Sequence, residues 1–175
     1  MNELKTLTED RLRPIIETFS TLEWPISREQ VKAIADDLDW VVTSGRKKGV
    51  GLSADMAEKD ATIHVLLRED KAAEITIPLS ESARHHNAIQ RDMSSTFRLL
   101  SDGVASVLGS NFTRAPGIQR YHWDLGNESR LAVERLTHEI VLLVLSPWVA
   151  NIEREEERQG LDPSRPIGDH QESNL

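Results

Sequence analysis

The chain contains no cysteine. That single absence removes a disulfide framework, a thiolate metal site and a cysteine nucleophile, and it suits a reducing compartment. Aromatic residues are scarce, at 5% of the chain, and basic residues are outnumbered by acidic ones, 21 to 29, for a net charge of −8. A negative field of that size disfavours nucleic acid and anionic lipid and favours a basic partner. Long apolar runs are missing too. The longest, Ile140 to Leu145, is far below the roughly 18–20 residues that a membrane span requires. The opening Met1-Asn2-Glu3-Leu4-Lys5-Thr6 has no basic region running into an apolar stretch, so it does not read as a secretory signal. The expectation is a soluble cytoplasmic protein with no nucleic-acid and no membrane partner.

Catalytic signatures are also lacking. There is no nucleophile elbow, no phosphate loop and no dinucleotide fingerprint. Gly49-Val50-Gly51 lacks the third glycine and follows a hairpin loop instead of opening a helix. Among the histidines, His122 and Asp124 lie two apart on one strand face, and His138 falls near a neighbouring strand. A His-Asp-His metal site is geometrically possible there, but a polar outer sheet face accounts for Arg120, His122 and Asp124 equally well. His64 reads as a half-buried, hydrogen-bonded histidine. Asp55, Glu58 and Asp60 cluster in one loop, where solvation leaves carboxylates unshifted and unsuited to paired acid–base work. No catalytic residue, no metal and no cofactor are expected, and the chain does not read as an enzyme.

What the sequence does contain is periodicity. Its 175 residues suit one domain, here residues 1–159, with residues 160–175 a polar, disordered tail. Leu12, Ile15, Ile16, Phe19 and Leu22 recur at helical spacing, with Pro14 expected in the first turn. Ser27 and Gln30 form a capping box, and Ile26 and Val31 the staple around it. Asp36, Asp37 and Asp39 sit toward the end of that helix, where its dipole disfavours acids. After Trp40 the period becomes two. Strands are expected at 40–44, 50–53, 62–68 and 73–79, the first pair joined by the basic loop Gly45-Arg46-Lys47-Lys48-Gly49. A long apolar stripe from Ile89 through Met93, Phe97, Leu100, Val104 and Val107 marks a helix over 87–108. A loop from Ser110 to Gly117 is expected to cross the sheet. Strands at 119–125, 130–136 and 139–145 follow; the last is apolar on both faces, as a central strand is. Ser146-Pro147 opens a final helix. The fold class is therefore α+β: an antiparallel sheet of about seven strands in the order α-α-β4-α-β3-α, with helices packed on one face.

Three stretches carry a likeness: Trp24-Pro25-Ile26-Ser27 with Leu38-Asp39-Trp40; Tyr121-His122-Trp123-Asp124-Leu125-Gly126; and Ser146-Pro147 with Ile152-Glu153-Arg154-Glu155-Glu156. Together they resemble a family of small actinobacterial proteins akin to the immunity factors encoded beside polymorphic toxins of type VII secretion. One such factor neutralises a mycobacterial NAD-glycohydrolase toxin. The likeness spans about residues 8–158 and its motifs are structural. It implies an immunity protein, an antitoxin that binds a cognate secreted toxin one to one and occludes its active site. The alternative is a secretion chaperone or adaptor for a client protein. Candidate partner-binding residues are Asp55, Glu58 and Asp60 as an acidic plug, Phe112 and Arg114 on the crossing loop, and Trp148 in the first turn of the last helix, where a bulky ring stays partly exposed.

Overall fold

The computed structural model describes residues 4–85, 90–115 and 117–161. Helices α1 (Glu9–Thr21) and α2 (Arg28–Asp37) precede strands β1 (Val41–Arg46), β2 (Gly49–Ala54), β3 (Ala61–Arg68) and β4 (Lys71–Pro78). A 3-10 turn (Ala83–His85) and helix α3 (Gln90–Leu108) lead to β5 (Thr113–Arg114), β6 (Arg120–Asp124), β7 (Arg130–Arg135) and β8 (Ile140–Leu145), and α4 (Pro147–Arg158) follows. The start expected for the long helix, residues 87–89, and the tail from residue 162 lie outside the described residues.

All eight strands form one antiparallel sheet in the order β1-β2-β3-β4-β8-β7-β6-β5. The eighth strand is β5. It lies in the segment expected to cross the sheet, which instead runs along the edge and pairs Thr113 with His122 and Arg114 with Tyr121. Two residues are too few to show an alternation in sequence. β8 is central, as its doubly apolar pattern requires, and joins the two strand blocks through β4 and β7.

Local signals explain the joints. Ser27 accepts from the Gln30 N–H at 3.2 Å and Gln30 Oε1 accepts from the Ser27 N–H at 2.9 Å, completing the capping box. Glu69 and Asp70, at φ 50° and 61°, make the two-residue turn between β3 and β4 in the left-handed conformation that matches strand twist. Pro14 is not in the first turn. It lies inside α1, exposed, where the ring faces solvent and the helix forgoes one hydrogen bond. The β6–β7 turn is fastened to the end of α1 by Asn127, whose Nδ2 donates to the carbonyls of Phe19 and Leu22 at 3.1 and 3.0 Å.

The inner sheet face carries Ile63, Val65, Ile75, Ile77, Leu131, Val133, Leu142 and Val144 into one core with Leu12, Ile16 and Phe19 of α1, Val31 and Ala35 of α2, and Met93, Phe97 and Val104 of α3. Each such large side chain contributes about 1.5–3 kcal/mol on burial. Trp40 and Trp123 belong to this core, and Trp123 Nε1 donates to the Gly109 carbonyl at 2.9 Å. The helices do not all pack on one face. α4 lies on the outer face, opposite α1 and α3, because its acidic side chains pair with arginines that point away from the core.

Candidate functional site

Strand alternation alone sends Arg120, His122 and Asp124 of β6, and Arg130, Ala132 and Glu134 of β7, to the outer face. Their registry places His122 beside Ala132 and Asp124 beside Arg130. α4 presents Glu153 and Glu157, four apart and so on one helix face, directly over them. Arg130 is 1% exposed and is the centre of the assembly. Its Nε and Nη2 donate to Asp124 at 3.0 and 3.3 Å, and its Nη1 donates to Glu153 at 2.9 Å and to Glu157 at 2.6 Å. Arg120 forks onto Glu153 at 3.0 and 3.3 Å. Arg154 returns from α4 to Asp124 at 2.7 Å and to the Glu128 carbonyl at 3.0 Å. Planar guanidinium groups suit this bidentate bracing.

The electrostatics follow from that crowding. Burial disfavours the charged form of Arg130, but hydrogen bonds to Glu157 and Asp124 more than offset it and hold the proton tighter than in an ordinary arginine. Burial would raise the Asp124 carboxyl, yet the hydrogen bonds from Arg130 and Arg154 hold it below the usual carboxylate range. Burial, reinforced by Glu153 and Glu74 and opposed by Arg120, raises Glu134. Burial, then the Arg130 charge, lowers His122, which lies 3.8 Å from Glu157. Arg120 Nε is buried without a hydrogen-bond partner, 3.7 Å from Glu134. The cluster thus fixes α4 to the sheet through a network of ion pairs, and Asp124 is committed to arginines. His138 is exposed in the β7–β8 turn, away from the mid-strand His122. No group of three or more metal-type side chains among the described residues is arranged to hold an ion.

The rest of the outer face is open. Over β2 and β3 it presents Gly49, Gly51 and Ser53, then Thr62, His64 and Leu66, paired across the strands. α4 stops short of them. Leu66 is 53% exposed, and Trp148 and Ile152, one helical turn apart on α4, are 49% and 41% exposed. Arg68, on the same strand face as Leu66, lies over the Trp148 ring at 4.0 Å. His64 is exposed here, not half-buried, because no described element covers this part of the sheet. The candidate site is a strip of exposed apolar side chains, Leu66 on β3 and Trp148 and Ile152 on α4, linked through Arg68.

With the geometry in place, the comparison with known families is decisive on one point. Residues 10–146 match a family of unknown function, DUF6301. The chain belongs to DUF6301. No curated protein and no solved structure matches it. The matched span of this DUF6301 member ends at the start of α4.

The six residues singled out in sequence fall in three places. Asp55, Glu58 and Asp60 are exposed in the β2–β3 loop of the DUF6301 chain, but two of them are engaged in holding it. Asp55 Oδ1 accepts from the Asp60 N–H at 3.1 Å, and Glu58 accepts from the Ser82 N–H. Phe112 stacks on Tyr121 with centroids 4.7 Å apart and tilts against Trp123 at 5.5 Å, so its ring packs against the core. Arg114 is exposed and lies over Tyr121 at 5.1 Å. β5 and the β2–β3 hairpin stand at opposite ends of the strand order, about 25 Å apart at 4.8 Å per strand, so the two loops do not form one site. Trp148 alone lies on the open strip. Leu66 and Ile152 were missed. Alternation over 62–68 puts Leu66 opposite the buried Ile63 and Val65, and an apolar residue on an otherwise polar strand face is the signal that marks it.

Proposed function

We propose that this protein is a protein-binding module of the immunity type, which captures a cognate secreted toxin one to one and blocks its active site. The observation that carries this reading is the exposed strip of Leu66, Trp148 and Ile152 on the outer sheet face, bordered by Arg68 stacked on Trp148. An aromatic anchor with apolar neighbours and an arginine is the composition of interface hot spots. The face is rigid, since α4 is clamped from below by Arg120 and Arg130, and a rigid face loses little entropy on binding. The negative net charge favours capture of a basic toxin surface through long-range attraction. A toxin of NAD-glycohydrolase chemistry is the partner that the family likeness suggests.

The experiment is titration calorimetry with the product of the neighbouring gene, where this reading expects a toxin domain. Nanomolar or tighter affinity is expected, falling at least about tenfold in Leu66→Asp and in Trp148→Ala, in line with loss of a hot-spot side chain. Affinity only in the millimolar range ends the immunity reading. Tight binding that both variants leave intact moves the interface off this face.

A further inference from the structure

The two edges of the sheet are unlike. β5, at one edge, has two residues, and short edge strands resist pairing with other chains. β1, at the other edge, has six residues, all exposed, and pairs only with β2. Its body holds Val41 and Val42, 65% and 40% exposed, β-branched residues that favour strand pairing. No lysine or proline interrupts that body. A bulge between Val42 and Ser44 bends it. Gly51 permits the bulge, since a Cβ there would come within 2.5 Å of Ser44 Oγ.

Charge distinguishes the two ends of this strand. The start of β1 follows Asp36, Asp37 and Asp39 at the end of α2, and all three are exposed. The end of β1 runs into Arg46, Lys47 and Lys48, also exposed. None of these six side chains has an ion-pair partner among the described residues; the ion pairs near them are Arg28–Asp70 and Lys32–Glu29. Within one chain the acids are misplaced, because a helix C-terminus carries partial negative charge. Their complement is the basic tip at the other end of the same strand.

We propose that β1 pairs antiparallel with β1 of a second copy of this chain, joining two sheets across a two-fold axis. A pairing centred on Thr43 and Ser44 lays Lys47 and Lys48 of each copy beside Trp40 and Asp39 of the other, next to the last turn of α2. The basic tip of each copy then meets the acidic corner of its partner, twice by symmetry, as a self-complementary interface requires. Six residues a side bury less surface than a standard interface, so the dimer is a weak one, in the micromolar range. The outer face with Leu66 and Trp148 stays free, and the dimer stands or falls independently of the toxin-binding reading.

The test is sedimentation equilibrium of the full chain across about 5–200 µM, where an interface of this size associates. Two variants accompany it, Lys47→Glu/Lys48→Glu and Asp36→Lys/Asp37→Lys. All four positions are exposed, and lysine at a helix C-terminus is favourable, so both variants keep the fold, checked by circular dichroism. The wild type is expected to dimerise more weakly as salt rises. Each variant alone is expected to lose at least about tenfold in association. An equal mixture of the two recovers it, because every corner then meets an opposite charge. A wild-type chain that stays monomeric throughout overturns the proposal. So does a dimer that both variants leave unchanged, or a mixture that associates no better than its components.

Discussion

The outer face of the sheet has two halves built by the same alternation and finished differently. Over β6 and β7 it carries Arg120, His122, Asp124, Arg130 and Glu134, and α4 covers them until Arg130 is 1% exposed. Over β2 and β3 it carries Gly49, Gly51, Ser53, Thr62, His64 and Leu66, and no helix among the described residues covers them, so that Leu66 is 53% exposed. The covered half is the more highly charged one, the reverse of what hydrophobicity alone dictates. Cover follows from complementarity: α4 brings Glu153 and Glu157 to two outward arginines, and the glycine, serine, threonine, histidine and leucine of the other half present no such pair of guanidinium groups. Polarity on a strand face therefore marks solvent only where no oppositely charged element returns to it.

The strongest way to break this contrast is to remove its centre. Arg130→Ala removes a fully buried guanidinium and leaves Asp124, Glu153 and Glu157 facing one another, the first and last of them about half in water. Deleting one partner of a fully buried ion pair costs about 3–5 kcal/mol; with Asp124 and Glu157 about half exposed, urea denaturation is expected to read a loss between that and the roughly 1 kcal/mol of a surface pair. Arg130→Lys, which keeps the charge but not the fork, is expected to fall between. A loss under about 1 kcal/mol, the worth of a surface ion pair, means that the network does not hold α4.

A smaller effect separates the halves by pH. His122 is buried beneath Glu157 and Arg130, with its pKa below the ordinary 6.5, whereas His64 is exposed. Because the folded-state value is depressed, the unfolded chain binds more protons below pH 6.5. The contribution of His122 is therefore complete above pH 6.5 and is lost as pH falls from there through the lowered value. Thermal midpoints are expected to drop between pH 7 and pH 5. The drop should shrink in His122→Gln and persist in His64→Gln. Asp124 acts in a separate window. Its pKa lies below the ordinary 3.8, so its contribution is present above that value and lost only as pH falls through the depressed one. An equal drop in both histidine variants removes His122 as its source.

Much of this fold is legible in sequence because its signals are local. The capping box of Ser27 and Gln30, the alternation of Ile63, Val65 and Leu67, and the doubly apolar run 140–145 each depend on neighbours in the chain, and each appears where expected. The misses are long-range. β5 is defined by its pairing with β6, not by its own two residues. That α4 lies on the outer face depends on Glu153 meeting Arg120, 33 positions away. The polar pattern of β6 looks the same whether water or a glutamate faces it. Phe112, expected on a crossing loop as a partner-binding residue, stacks on Tyr121 once β5 pairs with β6. Alternation along β3 puts Leu66 on the outward face, but whether that face is open depends on the reach of a helix about 80 residues later.

The smallest expected effect is the most discriminating for the open half. Leu66→Ser removes an isobutyl group that is half in water and faces no covering helix, and surface changes of this kind stay within about 0.5 kcal/mol. On the opposite, inner face of the sheet, Leu142→Ala truncates a fully buried side chain and costs about 2–5 kcal/mol through the cavity it leaves. Denaturation midpoints of the two variants measured side by side give the contrast directly. A Leu66→Ser chain destabilised as much as Leu142→Ala would mean that something in this molecule covers the strip, and a partner could reach Leu66 only by displacing it. A chain of unchanged stability leaves Leu66 with no structural duty, and its exposure on a face of glycine, serine and threonine is then accounted for by what docks there.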